Sequence, residues 1–300
     1  MKNQEKAYIF AILAILLWST SASAFKLTLR YANFNQLLFL SSLTSLIVIF
    51  VVIIAQRKMP ELFKIRSILP FILLGFLNPF LYYLILFKAY SLIPAQLAQP
   101  LNFVWPIMTV IISIPILKQR ISFKSIVAIF ISFLGVIIIS AKGNFTSLTF
   151  DNPFGIALAL FSSVVWALFW VVSIKMHTDP LVKLFYSFLF GTIFVLIYSI
   201  IFTDFSLPSL YGIIGSLYIG FFEMGITFIF WYHALKLSSS TAKVNNLIYI
   251  TPFLSLLFIA LVIKEKILPS TFVGLLFILI GIILQNVTLK KTALKDKDSV

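Results

Sequence analysis

The chain has 300 residues, of which 61% are apolar and only 11% charged, with a formal net charge of +14. This composition lies outside the range of soluble globular domains and defines an integral membrane protein. The absence of cysteine excludes disulfides, thiolate catalysis and cysteine-held metals. The basic excess sits at the ends of apolar runs, as in membrane proteins, which argues against a nucleic-acid partner.

In chain order the apolar runs predict ten transmembrane helices, over about 7–25, 36–55, 68–87, 93–117, 123–141, 153–174, 181–202, 210–235, 243–263 and 270–289. Each is near the twenty or so residues that a roughly 30 Å hydrocarbon core requires. The first follows Lys2 and Lys6 and ends in Ser21-Ala22-Ser23-Ala24, which has the form of a secretory signal. Its Leu17-Trp18-Ser19 has a counterpart in Val165-Trp166-Ala167, so we expect it to stay in place as the first span.

The third span carries Asn78 between Gly75 and Tyr82. The fourth carries Gln96, Gln99 and Asn102 at three-residue steps, then Trp105. On an α-helix that spacing makes a slanting polar stripe, and Pro100 and Pro106 free backbone carbonyls beside it. After the seam at Lys142–Pro153 come Trp166 and Trp170 in the sixth span. The eighth span holds Glu223, the one acid deep in a predicted helix, with Gly220 and Thr227 on its face. In the ninth, Lys243, Asn245, Asn246 and Tyr249 precede Pro252.

Three pairs of landmarks stand 146 positions apart: Pro106 and Pro252, Lys118-Gln119-Arg120-Ile121 and Lys264-Glu265-Lys266-Ile267, and Gly135 and Gly281. They divide the chain into halves at 1–142 and 153–290, with a tail at 291–300. With the N-terminus inside, 17 of the lysines and arginines fall on the cytoplasmic side and 6 outside, so both termini are expected in the cytoplasm. Two similar halves of five spans each must then cross in opposite directions. The expected fold is all-α: ten helices in a five-plus-five inverted-topology repeat around a central cavity.

These residues resemble the drug/metabolite transporter superfamily, EamA branch, in the five-plus-five repeat, the proline within the fourth helix of each half, and the two short charged turns. Leu17-Trp18-Ser19-Thr20, Asn102-Phe103-Val104-Trp105-Pro106 and Tyr249-Ile250-Thr251-Pro252-Phe253-Leu254-Ser255 are similar to aromatic amino acid exporters of the YddG type. The resemblance implies a basket-like bundle whose first, third, fourth and sixth spans, with their repeat partners, line a path.

The expected activity is therefore secondary transport of a small metabolite across the inner membrane, with amino acid or related export as the lead and organic or quaternary cations as the alternative. No Walker-type loop couples ATP, and no cofactor or metal is expected. An intramembrane enzyme would need a nucleophile, base or metal set that two scattered histidines, His177 and His233, and one deep acid do not supply. A non-transporting scaffold or sensor would tolerate changes at Glu223 and Asn102. Substrate contacts are expected from Trp18, Asn78, Tyr82, Gln96, Gln99, Asn102, Trp105, Trp166, Glu223, Asn245, Asn246 and Tyr249, with Glu223 also carrying a coupling proton. The competing role for each amide is to hold helices together. Lys243 either meets a substrate carboxylate or snorkels to the headgroups.

Overall fold

The structure, a computed structural model, describes residues 3–65, 67–117, 123–144, 152–203, 206–238, 244 and 246–297, with the side chains of 117 and 286–297 left aside. Asn245, Lys243 and the Lys118–Ile121 turn lie outside the described residues.

The first half begins with α1 (Asn3–Thr28) and α2 (Phe34–Ala55). Asn33 starts α2 as a capping box: its Oδ1 accepts from the Gln36 N–H at 2.9 Å, and Gln36 Oε1 accepts from the Asn33 N–H. A short α3 (Met59–Leu62) precedes α4 (Leu69–Gly75), a π-helical segment (Phe76–Leu81) and α5 (Tyr82–Leu92). Then come α6 (Ala95–Asn102), α7 (Trp105–Leu117) and α8 (Phe123–Ser140). The second half follows the same plan. It has α9 (Pro153–Ile174), α10 (Pro180–Phe202), α11 (Leu210–Tyr218), a π-helical segment (Ile219–Ile226) and α12 (Thr227–Leu237). A 3-10 turn (Ile248–Ile250), α13 (Thr251–Phe258), a π turn (Ile259–Ile263) and α14 (Pro269–Lys297) complete the chain.

Among the described residues, eight helical stretches are long and apolar enough to cross a membrane, and Ile248–Ile263 and Pro269–Gln285 are shorter apolar helices. Two expectations need correcting. The third stretch runs past 87 to Leu92, because Lys88 remains helical with its ammonium 4.8 Å from the Phe34 ring centre. The fourth is one apolar stretch, Ala95–Ile116, but its helix is interrupted by a turn at Phe103–Val104, just before Pro106, which has no N–H to give the Asn102 carbonyl. The ninth shows the same break, a 3-10 turn directly before Thr251-Pro252.

Polarity is arranged for lipid. Large apolar side chains face outward, such as Ile47, Val51, Phe130 and Leu261, while Ser19, Ser41, Ser45, Ser132, Ser162 and Ser255 are fully buried. Small hydroxyl residues let helices approach closely and bond to backbone carbonyls across the contact. Ser45 Oγ donates to the Met224 carbonyl at 2.7 Å, and Ser187 Oγ donates to the Asn78 carbonyl. Each bond lies on a π-helical segment, where the regular ladder is interrupted and a carbonyl needs another partner.

The contacts between halves are reciprocal. α1 packs on α12 and α5 on α9; α2 packs on α11 and the second π segment, and α10 on α4 and the first. A Cβ on Gly220 would press on Ser41 and Thr44, and one on Gly75 would press on Ser187 and Phe190, their counterparts 146 positions on. α8 and α14 behave alike: Gly135 rests on Gly274 and Ile278, while Gly281 rests on Ala128 and Ser132. In the repeat numbering Ala128 corresponds to Gly274 and Ser132 to Ile278, so each helix offers the other the same surface. Reciprocity of this kind is the mark of a two-fold relation.

Candidate functional site: a tryptophan-walled cavity with one carboxylate

A cavity of about 640 Å³ lies between the halves. All five tryptophans of the chain line it: Trp18 from α1, Trp105 from α7, Trp166 and Trp170 from α9, and Trp231 from α12. The rings of four of them, Trp18, Trp166, Trp170 and Trp231, connect through Phe228 into one wall. Trp231 meets Trp18 at 5.5 Å between centroids, Trp18 meets Phe228 edge-on at 5.8 Å, and Phe228 meets Trp166 at 5.9 Å. Tyr82 lies 4.5 Å from Trp166 and 4.7 Å from Tyr83. These spacings are in the favourable range for aromatic pairs, so the wall is mutually braced.

Glu223 enters this wall from the second π segment and is 8% exposed. Ser21 Oγ donates to its Oε2, and the Tyr83 hydroxyl donates to its Oε1 at 3.2 Å. Two donors leave an ionised carboxylate with lone pairs still free for a ligand or a proton. Nearby, Tyr82 OH donates to Asn102 Oδ1 at 3.3 Å, and Asn102 Nδ2 donates to Ser162 Oγ at 2.8 Å. Gln99 Oε1, Trp170 Nε1 and Thr251 Oγ1, all buried atoms of lining residues, have no hydrogen-bond partner among the described residues. No lysine, arginine or histidine lines the cavity among the described residues.

Nine of the residues expected from sequence to meet substrate therefore share one cavity: Trp18, Tyr82, Gln99, Asn102, Trp105, Trp166, Glu223, Asn246 and Tyr249. Two do not reach it. Asn78 is fully buried off the cavity, in the first π segment. Its backbone is extended there (φ −147°, ψ 124°), and its carbonyl accepts from Ser187 Oγ of α10. Gln96 faces the turn before α14, where Nε2 donates to the Lys266 carbonyl at 2.9 Å and Oε1 accepts from Leu268 N–H and Thr271 Oγ1. Gln96 thus carries out the helix-joining role that competed with the substrate role for every amide, whereas the Asn78 amide has no hydrogen-bond partner among the described residues. His233 lies at the end of α12, 3.4 Å from Gln56 Nε2.

The sequence does not single out Ser21, whereas Tyr83 is among the aromatic candidates it offers beside Tyr82 and Tyr249. Ser21 stands three residues after Trp18 on the same helix face, which was the available signal. Tyr83 follows Tyr82 and reaches Glu223 only because α5 crosses the second half.

The cavity is closed at one end and reachable at the other. Ile174 and Asn246, both exposed, form its rim where α9 and α12 finish. At the far end Phe25, Leu86 and Tyr90 are buried beneath a polar seal. Lys26 Nζ donates to the carbonyls of Tyr90 at 2.7 Å and Ile93 at 2.8 Å, covering the last turn of α5. The Glu265 carboxylate accepts from the N–H groups of Ala95 at 3.1 Å and Gln96 at 3.2 Å, capping α6. Gln96 returns the contact to the same turn.

An apolar-surfaced helical bundle with two like halves, an internal cavity and one sealed end defines a membrane transporter. The two halves, residues 5–141 and 153–287, each match the EamA-like transporter family, and the chain belongs to that family. It is 27% identical over 297 residues to an uncharacterized transporter of Clostridium kluyveri, covering 96% of this chain and 95% of the relative. It is 25% identical to the uncharacterized transporter YvbV of Bacillus subtilis, covering 95% and 94% respectively. One crystal structure superposes with a TM-score of 0.68 over 96% of this chain and 99% of its own, at 21% identity, and so shares the fold.

Proposed function

We propose that this protein is a proton-coupled secondary transporter that exports small organic metabolites across the inner (plasma) membrane by alternating access. The observation that carries the reading is a carboxylate, Glu223, single among the described residues on the wall of a cavity between two halves, sealed at one end and reachable at the other. A ten-span inverted repeat supplies the motion. Reciprocal packing of α1 on α12, α5 on α9 and α8 on α14 supports a pseudo-two-fold axis in the membrane plane, about which the halves exchange conformations. Both termini are assigned to the cytoplasm by the basic bias of the turns, so the reachable end is cytoplasmic and the Lys26–Glu265–Gln96 seal is external.

Among the described residues, the other titratable groups near Glu223 are the phenols of Tyr82, Tyr83 and Tyr90, all from α5. The carboxyl is thus the group suited to carry a proton. The walls suit a molecule with a flat apolar body and a polar head, met by Gln99, Asn102 and Asn246. The test is flux in proteoliposomes under an imposed pH gradient, screened over a metabolite panel. Gradient-driven movement that disappears in Glu223→Gln supports the proposal. Absence of flux for every compound with a correctly inserted protein would favour a scaffold or sensor instead.

A further inference from the structure

We propose that the ligand of the central cavity is an organic cation, a protonated amine on an aromatic or similarly flat apolar body, with its ammonium held at Glu223. The inference rests on the transporter reading for its meaning but on the cavity wall for its argument.

Charge decides the head group. The wall carries one acid and, among the described residues, no basic side chain. An anion there would meet only amides, hydroxyls and indole N–H groups while leaving water beside a carboxylate. A zwitterion would satisfy its ammonium and leave its own carboxylate without a cationic partner, which is costly in a low-dielectric site. A cation meets the opposite situation. Glu223 neutralises it, and the free lone pairs of its two oxygens accept N–H donors beside the bonds from Ser21 and Tyr83.

The tryptophans point the same way. Nothing about membrane burial requires all five to converge on one cavity, and a tryptophan used as an interfacial anchor would face lipid. Here they come from four helices to surround one acid. Tryptophan is the strongest cation–π partner among the side chains, and the gain is larger where water is excluded. The same faces stack on a flat body. The free lone pairs of Glu223 accept N–H donors, which favours a protonated amine over a quaternary ammonium.

Because every tryptophan lines the cavity, intrinsic tryptophan emission of the unaltered protein reads its occupancy directly. The probes are three compounds of one shape and different charge: phenethylamine, phenylalanine and hydrocinnamate. The expected result is a saturable change with phenethylamine at least about tenfold tighter than with either of the others. Glu223→Gln is expected to remove most of that difference. Equal or tighter binding of hydrocinnamate or phenylalanine, or no binding of phenethylamine, overturns the proposal, and these outcomes need no variant. Flux of phenethylamine and hydrocinnamate in proteoliposomes separates the two readings. Binding of the amine without movement sinks the transport reading and leaves the ligand class standing; movement of the anion alone does the reverse.

Discussion

The Tyr83 hydroxyl donates to Glu223 Oε1 at 3.2 Å, so a first-half helix holds the carboxyl of the second half. The bond crosses the interface at which the halves must move past each other in an alternating-access cycle. On the proposed proton-coupled cycle, this one contact links proton occupancy of Glu223 to the relative position of the halves. Tyr83→Phe is expected to slow pH-gradient-driven flux while retaining measurable transport, whereas Glu223→Gln abolishes gradient-driven flux with normal expression and insertion. If Glu223→Gln transports like the parent between about pH 5.5 and 8, a window spanning neutrality, Glu223 has no part in coupling.

Asn102 joins Tyr82 on one side and Ser162 on the other, with its amide on the cavity wall. Replacing it by alanine is expected to weaken ligand binding by about 0.5–1.5 kcal/mol, the net worth of one hydrogen bond. Affinity can be followed by the tryptophan emission described above. An unaltered affinity with a lowered melting temperature would assign Asn102 to bracing alone.

The seal at the closed end gives a prediction in the absence of any ligand. Glu265→Ala removes the cap on α6, and Lys26→Met uncovers the carbonyls of Tyr90 and Ile93. The chain has no cysteine, so a single Ile93→Cys, a buried position at the seal, serves as a reporter without background. Maleimide labelling at that position is expected to rise several-fold in either seal variant. Labelling that stays at the parent rate would show that the end is held shut by apolar packing.

Close helix approach is tested at Gly191 and Gly135. A Cβ at Gly191 would lie 2.3 Å from Pro79 Cδ, and one at Gly135 would lie 2.4 Å from the Gly274 carbonyl oxygen. Neither neighbour is the far end of a flexible side chain. Gly191→Ala and Gly135→Ala are each expected to cost about 1–3 kcal/mol of stability, the usual range for overpacking. Thermal unfolding in detergent measures it, and a melting point equal to the parent's would mean that these helices can separate freely.

An ion pair outside the spans sets a pH dependence. Burial alone would raise the Asp179 carboxyl. The Lys58 ammonium and the Leu181 and Val182 N–H groups outweigh it and hold that carboxyl below its ordinary 3.8. Burial likewise opposes the Lys58 charge, but Asp179 raises the ammonium above its ordinary 10.5. The contribution of Asp179 is full above pH 3.8 and is lost as pH falls through its lower folded value; that of Lys58 is full below 10.5 and is lost as pH rises through its higher one. Lys58→Met is therefore expected to lower the melting temperature near neutrality, with the difference from the parent narrowing toward strong acid. A difference independent of pH would remove the pair as its cause.

The legible part of this protein was whatever depends on distance along the chain. Span lengths follow from bilayer thickness, and Pro106 and Pro252 mark helix breaks wherever they lie, because a missing N–H is a local fact. The same holds for Glu223, whose cost in an apolar span made it a candidate before any packing was known. The side chains of Gln96 and Gln99 were indistinguishable at that level, three residues apart on one stripe. Only the approach of the 264–268 turn draws Gln96 into a seal and leaves Gln99 on the cavity.

Sequence by itself determined that the chain crosses the membrane, that it is one plan written twice, and that a lone acid lies within it. Tertiary structure decided what the repeat could not. Asn78 and Glu223 each stand three residues after a closely packed glycine, Gly75 and Gly220, yet one is buried beside α10 and the other faces the cavity. Five tryptophans scattered from Trp18 to Trp231 come to line one cavity, because helix crossing, unlike helix formation, depends on which faces meet in space.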